Sequence, residues 1–473
     1  MMKVQPVTVG PIVGATTDTA VRLWGRGKFE KIQSGPRRCF GVARIRQAKA
    51  GSSYRQPQYF KMNPNFDMTG IAIFNDLKAE TRYNYQMGWF FSDLELDEVQ
   101  ADTRPLDWDI IPTQHFTTAS ANDNQARSFI FGSCRYLLRL FGGSWFDNRG
   151  DKTFRSILDQ VNKQKRQTDA ILMIGDQIYA DDLNFLNADD SIGEFLRRYR
   201  DAFSQPHIRK LMSQVPTYMT LDDHEIEDGW PAHSTEHDWM IKYPAAIHAY
   251  KIYQISHSPV FKAVGDRLVG IPNKYWYKFS DGCADFFVTD TRTERYLPKK
   301  KAEREIISEA QMTAVKEWLK DGSGRVKFLV TAVPVFPGTK MANNDKWGGF
   351  PTQQSELLDF IWGEQIERVV FLAGDVHSSL SAELVRKGDA SGFKVISLIS
   401  SPYYWPYPHN PRRAFNLQGK IKSTLSGHTY QVENAGKVVS TDNFTRVTVD
   451  LSGVKVEIYG RKGNLLNERS IQF

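Results

Sequence analysis

Four stretches of this sequence carry residue types that bind metal ions, and each follows an apolar run. They are Gly132-Ser133-Cys134-Arg135, Gly175-Asp176-Gln177-Ile178-Tyr179-Ala180-Asp181-Asp182, Asp222-Asp223-His224-Glu225 and Gly374-Asp375-Val376-His377. The preceding runs, such as Ala170-Ile171-Leu172-Met173-Ile174, are short and bounded by polar segments, which reads as buried strands. In open α/β sheets ligands gather where strands end. Carboxylates brought together there would repel one another and keep their protons unless cations lay among them. The pattern therefore predicts a metal cluster drawn from Cys134, Asp176, Tyr179, Asp223, Asp228, Asp375 and His377.

The donor set indicates which metals. A thiolate, a phenolate, an imidazole and a carboxylate suit a trivalent or borderline transition metal, with iron the natural candidate. Asp222, Asp223, Asp228 and Asp375 are hard oxygen donors that suit calcium or magnesium. A site holding both kinds of ion needs a bridging carboxylate, and Asp176 is best placed for it. Clusters of this kind serve phosphoryl transfer, where the ions neutralise charge and acidify water. His224 could protonate the leaving oxygen, or could itself be a ligand or an oriented neighbour. Arg135 could hold a phosphate oxygen bidentately, or could make a surface ion pair.

Other chemistries lack their signatures. A cysteine phosphatase would need an arginine where this chain has Leu140. No Gly-x-Ser-x-Gly elbow and no P-loop is present. Cys39 and Cys283 read as packing residues, and His233, His237 and His248 match no ligand spacing.

The elements around these stretches divide the chain in two. Residues 7–118 read as β, with alternating segments at Val21–Trp24, Gly70–Phe74 and Tyr83–Met87 and turn signals between them. Short alternating strands over such a length predict a β-sandwich. Ala119–Gln125 reads as a linker, which places the boundary at residues 1–120 and 121–473. Beyond it strands alternate with helical patterns at Thr153–Arg166, Gly193–Phe203, Glu309–Lys320 and Gln354–Trp362, the mark of an α/β arrangement. Phe444–Phe473 returns to β character and reads as added edge strands. The aromatic loop Tyr403-Tyr404-Trp405-Pro406-Tyr407 could wall the pocket or simply pack.

Composition sets broad bounds. The chain of 473 residues is 41% hydrophobic and 24% charged, ordinary for a globular protein. A net charge of +7 from 61 basic and 54 acidic residues requires no nucleic-acid role, and no nucleic-acid-binding module is visible. Three cysteines are too few for a disulfide scaffold. No run approaches the ~18 apolar residues of a membrane span. The N-terminus MMKVQPVTVG shows no signal peptide. As written the chain reads as cytoplasmic, and as periplasmic or secreted if a leader was removed.

Taken together, these motifs resemble the alkaline phosphatase D (PhoD-like) metallophosphatases. The segment Asp345-Lys346-Trp347-Gly348-Gly349-Phe350-Pro351 looks like that family's Trp-x-Gly-Tyr-Pro stretch, and VGPIVGATTDTAVRLW looks like the opening of its β domain. The resemblance implies an N-terminal fibronectin-like domain and a calcineurin-like αββα catalytic sandwich. It implies Fe3+ at Cys134, Asp176, Tyr179 and His377, and one or two Ca2+ ions at Asp176 and Asp375, with Zn2+, Mg2+ or Mn2+ as substitutes. Where the family carries an asparagine ligand, this chain has Asp228. The expected activity is hydrolysis of phosphomonoesters or phosphodiesters by a metal-bound hydroxide, with His224 and Arg135 as catalytic groups. The expected substrate is a small phosphate ester. Phospholipase D-type action on phospholipids is an alternative, as is a non-catalytic binding module with a degenerate hydrolase domain.

Overall fold

The computed structural model describes residues 2–33, 35–137, 139–140, 145–146, 148–181, 188–339, 345–407 and 415–473. Asp182 lies outside these described residues.

Two sheets in the second part of the chain position the functional stretches. The first has six strands, in the order Thr217–Thr220, Ala170–Ile174, Arg127–Gly132, Asn443–Asp450, Gly453–Gly460 and Leu465–Gln472. Its first three strands run parallel, so the Cys134, Asp176 and Asp223 loops leave the same edge. The second sheet has eight strands, with Ala284–Val288, Val326–Thr331, Val369–Ala373 and Lys394–Ile399 parallel at its centre.

Side chains of period two explain the layering. Phe129, Phe131, Leu172 and Ile174 face Phe286, Phe328, Val330 and Leu372 in a core between the sheets. Phe129 meets the rings of Phe286 and Phe328 edge-on at 5.2 and 5.1 Å, a favoured aromatic geometry. The intervening residues Ile130, Ile171 and Met173 face outward onto helices Arg149–Asn162, Ile192–Phe203, Pro206–Met212 and Tyr243–Tyr250. On the far side Phe287, Leu329 and Phe371 bury against Glu309–Leu319 and Pro351–Gly363. The order is thus helices, sheet, sheet, helices. Helix starts follow their caps: Ser191 and Glu194 form a capping box, and Ser308 accepts from the Gln311 N–H.

Residues before 118 form mainly strands, as the alternating pattern predicts. Val9–Thr16, Val21–Arg26 and Thr69–Phe74 make one sheet, and Gln58–Met62, Cys39–Gln47, Arg82–Phe91 and Gln114–Thr117 make the greater part of another. Val13, Leu23, Ile45, Phe74, Tyr85 and Phe116 fill the space between them. This part is bound to the helical layer over a broad face. Trp24 packs on Tyr253 at 5.3 Å, Arg209 donates to the Gly10 carbonyl at 2.6 Å, and Asp67 accepts from Arg200 at 2.8 Å.

Two expectations change. The C-terminal segment adds more than an edge, because Asn443–Asp450 pairs antiparallel with Arg127–Gly132 and makes that strand internal. Residues 238–255 form continuous helical structure that the sequence reading passed over. Its aromatic and polar residues are mixed too evenly to show one apolar face.

Candidate metal centre

The chain bends sharply at three of the four functional stretches. Cys134, Asp176, Asp375 and His377 all adopt positive φ, at 57°, 56°, 67° and 46°, a conformation non-glycine residues hold only when their surroundings enforce it. Two glycines let the loops meet. A Cβ on Gly175 would lie 2.6 Å from the Asp222 Cβ, and one on Gly374 would lie 2.4 Å from the Ser133 hydroxyl oxygen.

Asp176 is the hub. Its Oδ2 lies 3.3 Å from Cys134 Sγ and 3.4 Å from the Tyr179 hydroxyl. Asp176, Asp223 and His224 each offer a ligand atom within 4.8 Å of the others. His224 Nδ1 lies 2.8 Å from Asp181 Oδ2, which orients the ring. The Tyr179 ring covers His224 with centroids 4.2 Å apart. His377 packs on Trp405 at 3.9 Å, and Trp405 lies 5.8 Å from Tyr179. Trp405 therefore forms an aromatic wall beside the cluster, whereas Tyr403 is buried in the core against Phe154 at 4.9 Å.

A second group, Asp222, Asp223 and Asp375, also comes within 4.8 Å, so Asp223 belongs to both. Asp176, to which sequence reasoning gave the bridging place, stands in the first of these groups, and Asp223 stands in both. Fixed cations stand in this second group. Arg292 pairs with Asp222 and lies 3.6 Å from Asp223. Asp375, an expected calcium ligand, pairs with the ammonium of Lys346. Asp345 accepts from both Lys346 and Arg295 at 2.7 Å and also binds Arg292.

Burial raises the carboxylates throughout, and the neighbours sort them. Asp176 and Asp222 finish well above the usual carboxylate range, while Asp223, facing Arg292 and His224, finishes below it. Burial opposes protonation of His224, yet Asp223, Asp176 and Asp181 overcome it and hold the imidazolium well above its ordinary range. Burial, then Asp176, push the Cys134 thiol up; burial, Cys134 and Asp176 do the same to the Tyr179 phenol.

These residues fit a metal ion on the Asp176 side. Asp176 Oδ1 is buried without a hydrogen-bond partner, a costly state for a carboxylate oxygen that a cation would relieve.

The sequence reading gives Arg135 either a phosphate oxygen or a surface ion pair. Arg135 is 1% exposed and its guanidinium turns into the helical layer, donating to the Ala202 carbonyl at 2.8 Å and lying 5.2 Å from the Phe154 ring. Burial lowers it to about 10. Asp228 is exposed beside the cluster and belongs to neither ligand group. Cys39 and Cys283 are buried elsewhere as free thiols. His248 reaches the Asn65 carbonyl and His237 approaches Asp190, both away from the two ligand groups.

Sequence reasoning gave no role to Glu225, Arg292, Asp345 or Lys346, although Glu225, Asp345 and Lys346 stand within stretches that it singled out. Glu225 Oε2 accepts from the Asp222 and Asp176 backbone N–H groups at 2.8 and 3.0 Å. Its neighbour His224 drew attention instead. Arg292 follows Asp290 at the end of the Ala284–Val288 run and carried no pattern of its own.

Comparisons with known proteins bear on the family and the fold. Alkaline phosphatase D of Bacillus subtilis (strain 168) is 24% identical over 226 residues, spanning 41% of this chain and only 36% of that protein's length. A solved structure of PhoD superposes with a TM-score of 0.68 over 99% of this chain and 92% of that one, at 15% identity, which establishes likeness of fold. The PhoD-like phosphatase family matches residues 139–452, an interval holding every candidate residue except Cys134 and Arg135. This chain belongs to the PhoD-like phosphatase family.

Proposed function

We propose that this protein is a metal-dependent phosphoesterase acting on phosphomonoesters, phosphodiesters or both. One observation carries the reading: Cys134, Tyr179 and a buried carboxylate converge on Asp176 at the ends of parallel strands, with His224 in the same group. The name of the Bacillus subtilis relative, alkaline phosphatase D, supports it. The layer order agrees with a calcineurin-like αββα sandwich over residues 121–473, preceded by a fibronectin-like β domain over residues 1–120.

Cys134, Asp176 and Tyr179 would together present three negative charges when deprotonated, and His377 a neutral nitrogen. That balance matches a trivalent ion, and iron is the proposed occupant. When bound, the ion supplies charge neutralisation at phosphorus and acidification of water. The remaining work falls to the chain itself. Asp181 holds the His224 ring through Nδ1, leaving the other ring nitrogen to deliver a proton to the departing ester oxygen. Arg292 and Lys346 keep positive charge on the opposite flank. Trp405 and Tyr179 line the cluster with an aromatic wall.

The test is turnover of p-nitrophenyl phosphate, its bis ester and a phospholipid, with and without a chelator. Turnover of at least one, abolished by the chelator and restored by metal, is expected. A metal-loaded protein inert toward all three would sink the proposal in favour of a binding module.

A further inference from the structure

We propose that the ammonium of Lys346 is the resident cation of the Asp222–Asp223–Asp375 group, so that this chain carries its own charge where a calcium ion was expected. The inference rests on the metallophosphoesterase reading of the adjoining Asp176 cluster, and it deepens that reading by stating which of the two positions takes a metal.

Three observations carry it. Lys346 Nζ contacts Asp375 directly, and both side chains are 13% exposed, so the pair is largely removed from water. The second observation is that the lysine is aimed. Asp345 Oδ2 accepts from Lys346 Nζ at 2.7 Å, and Asp345 is itself clamped by Arg292 and Arg295. The next residue, Trp347, is fully buried and donates to Thr331 Oγ1 at 3.0 Å, which fixes the chain on either side of the ammonium. A lysine so anchored at both its backbone and its tip gives up little further freedom on pairing.

The third observation is charge. The three carboxylates already meet two fixed cations, Arg292 and Lys346. Asp223 is shared with the Asp176 group, so the second group has little negative charge to itself. A divalent ion added here would leave the group positive, or would have to expel the ammonium from Asp375 and leave it against Asp345 in a confined space. The small, strongly charged ammonium is the basic side chain best able to stand in a cation position. Lysine thus makes this flank of the site independent of a dissociable ion.

The experiment measures calcium binding, by equilibrium dialysis and calorimetry, to the purified full-length protein and to Lys346→Ala and Lys346→Arg. Transition-metal content and ester turnover are recorded on the same samples. The wild type and Lys346→Arg are expected to bind no calcium at millimolar concentration. Lys346→Ala is expected to gain one calcium per chain, at least about tenfold tighter than wild type. Wild-type turnover should withstand a calcium-selective chelator. Calcium binding by the wild type as tight as by Lys346→Ala would overturn the proposal, as would a folded Lys346→Ala protein that gains none. Should Lys346→Ala fail to fold, calcium binding by the wild type alone decides the matter. Absence of both transition metal and turnover would instead remove the phosphoesterase reading, while the calcium comparison still decides the role of Lys346.

Discussion

The Glu225 carboxylate holds the backbone of Asp176: its Oε2 accepts from the Asp176 N–H at 3.0 Å, while Oε1 accepts from the Gln177 N–H at 2.6 Å. The same carboxylate binds the Asp222 N–H and the Gln254 side chain. One buried acid thus ties two ligand-bearing loops in their bent conformations. Glu225→Gln replaces an accepting oxygen by a donor that faces another donor. The variant is expected to lose about 2–3 kcal/mol of stability and to purify with less metal. Chemical denaturation and elemental analysis check this, and unchanged values of both would show that Glu225 positions nothing.

Removal of the metal provides the second prediction. A phenolate bound to ferric iron would give the protein a visible absorption band. Tyr179→Phe should bleach that band while keeping the fold, since the Tyr179 hydroxyl bonds within the cluster at Asp176. Dialysis against a strong chelator should bleach it too and abolish turnover. A colourless wild type containing zinc would overturn the iron assignment.

Third, His224 and Arg135 should separate in their effects. His224→Asn is expected to lower kcat by about 10²–10⁴-fold with little change in KM, most severely for esters with poor leaving groups. Arg135→Lys should lower the thermal midpoint and leave KM unaltered, because its guanidinium serves the Ala202 carbonyl. A raised KM in the Arg135 variant would restore it to the substrate.

The fourth prediction concerns acid stability. His257 is fully buried, its Nε2 pairing with the Tyr253 carbonyl at 3.2 Å and its Nδ1 unpartnered. Burial, with Arg22 nearby, lowers it from 6.5 to about 4. The unfolded chain therefore takes up a proton that the folded chain refuses between those two values. Stability from this group is complete above 6.5 and declines as pH falls toward about 4, by about 3 kcal/mol in all. His257→Gln should flatten the fall of the thermal midpoint across that window. An equally steep fall in the variant would assign the acid sensitivity elsewhere.

The sequence by itself determined the strand-and-helix texture and the chemical character of the site. Runs such as Ala170-Ile171-Leu172-Met173-Ile174 must be buried on both faces, and Cys134, Asp176, Tyr179, Asp223, Asp375 and His377 stood out because acids and soft donors at strand ends demand a counter-charge. Only the tertiary structure decided which of them share a partner. The parallel order of Thr217–Thr220, Ala170–Ile174 and Arg127–Gly132 set the Asp176 hub. The meeting of Lys346 with Asp375 and of Arg292 with Asp222 depended on chain segments far apart in sequence. Neither cation's partner can be read from its local sequence, and Arg135 shows that standing beside a ligand does not fix where a side chain points. Residue type is a local property, whereas the balance of charge in a cleft is a sum over everything the fold brings there.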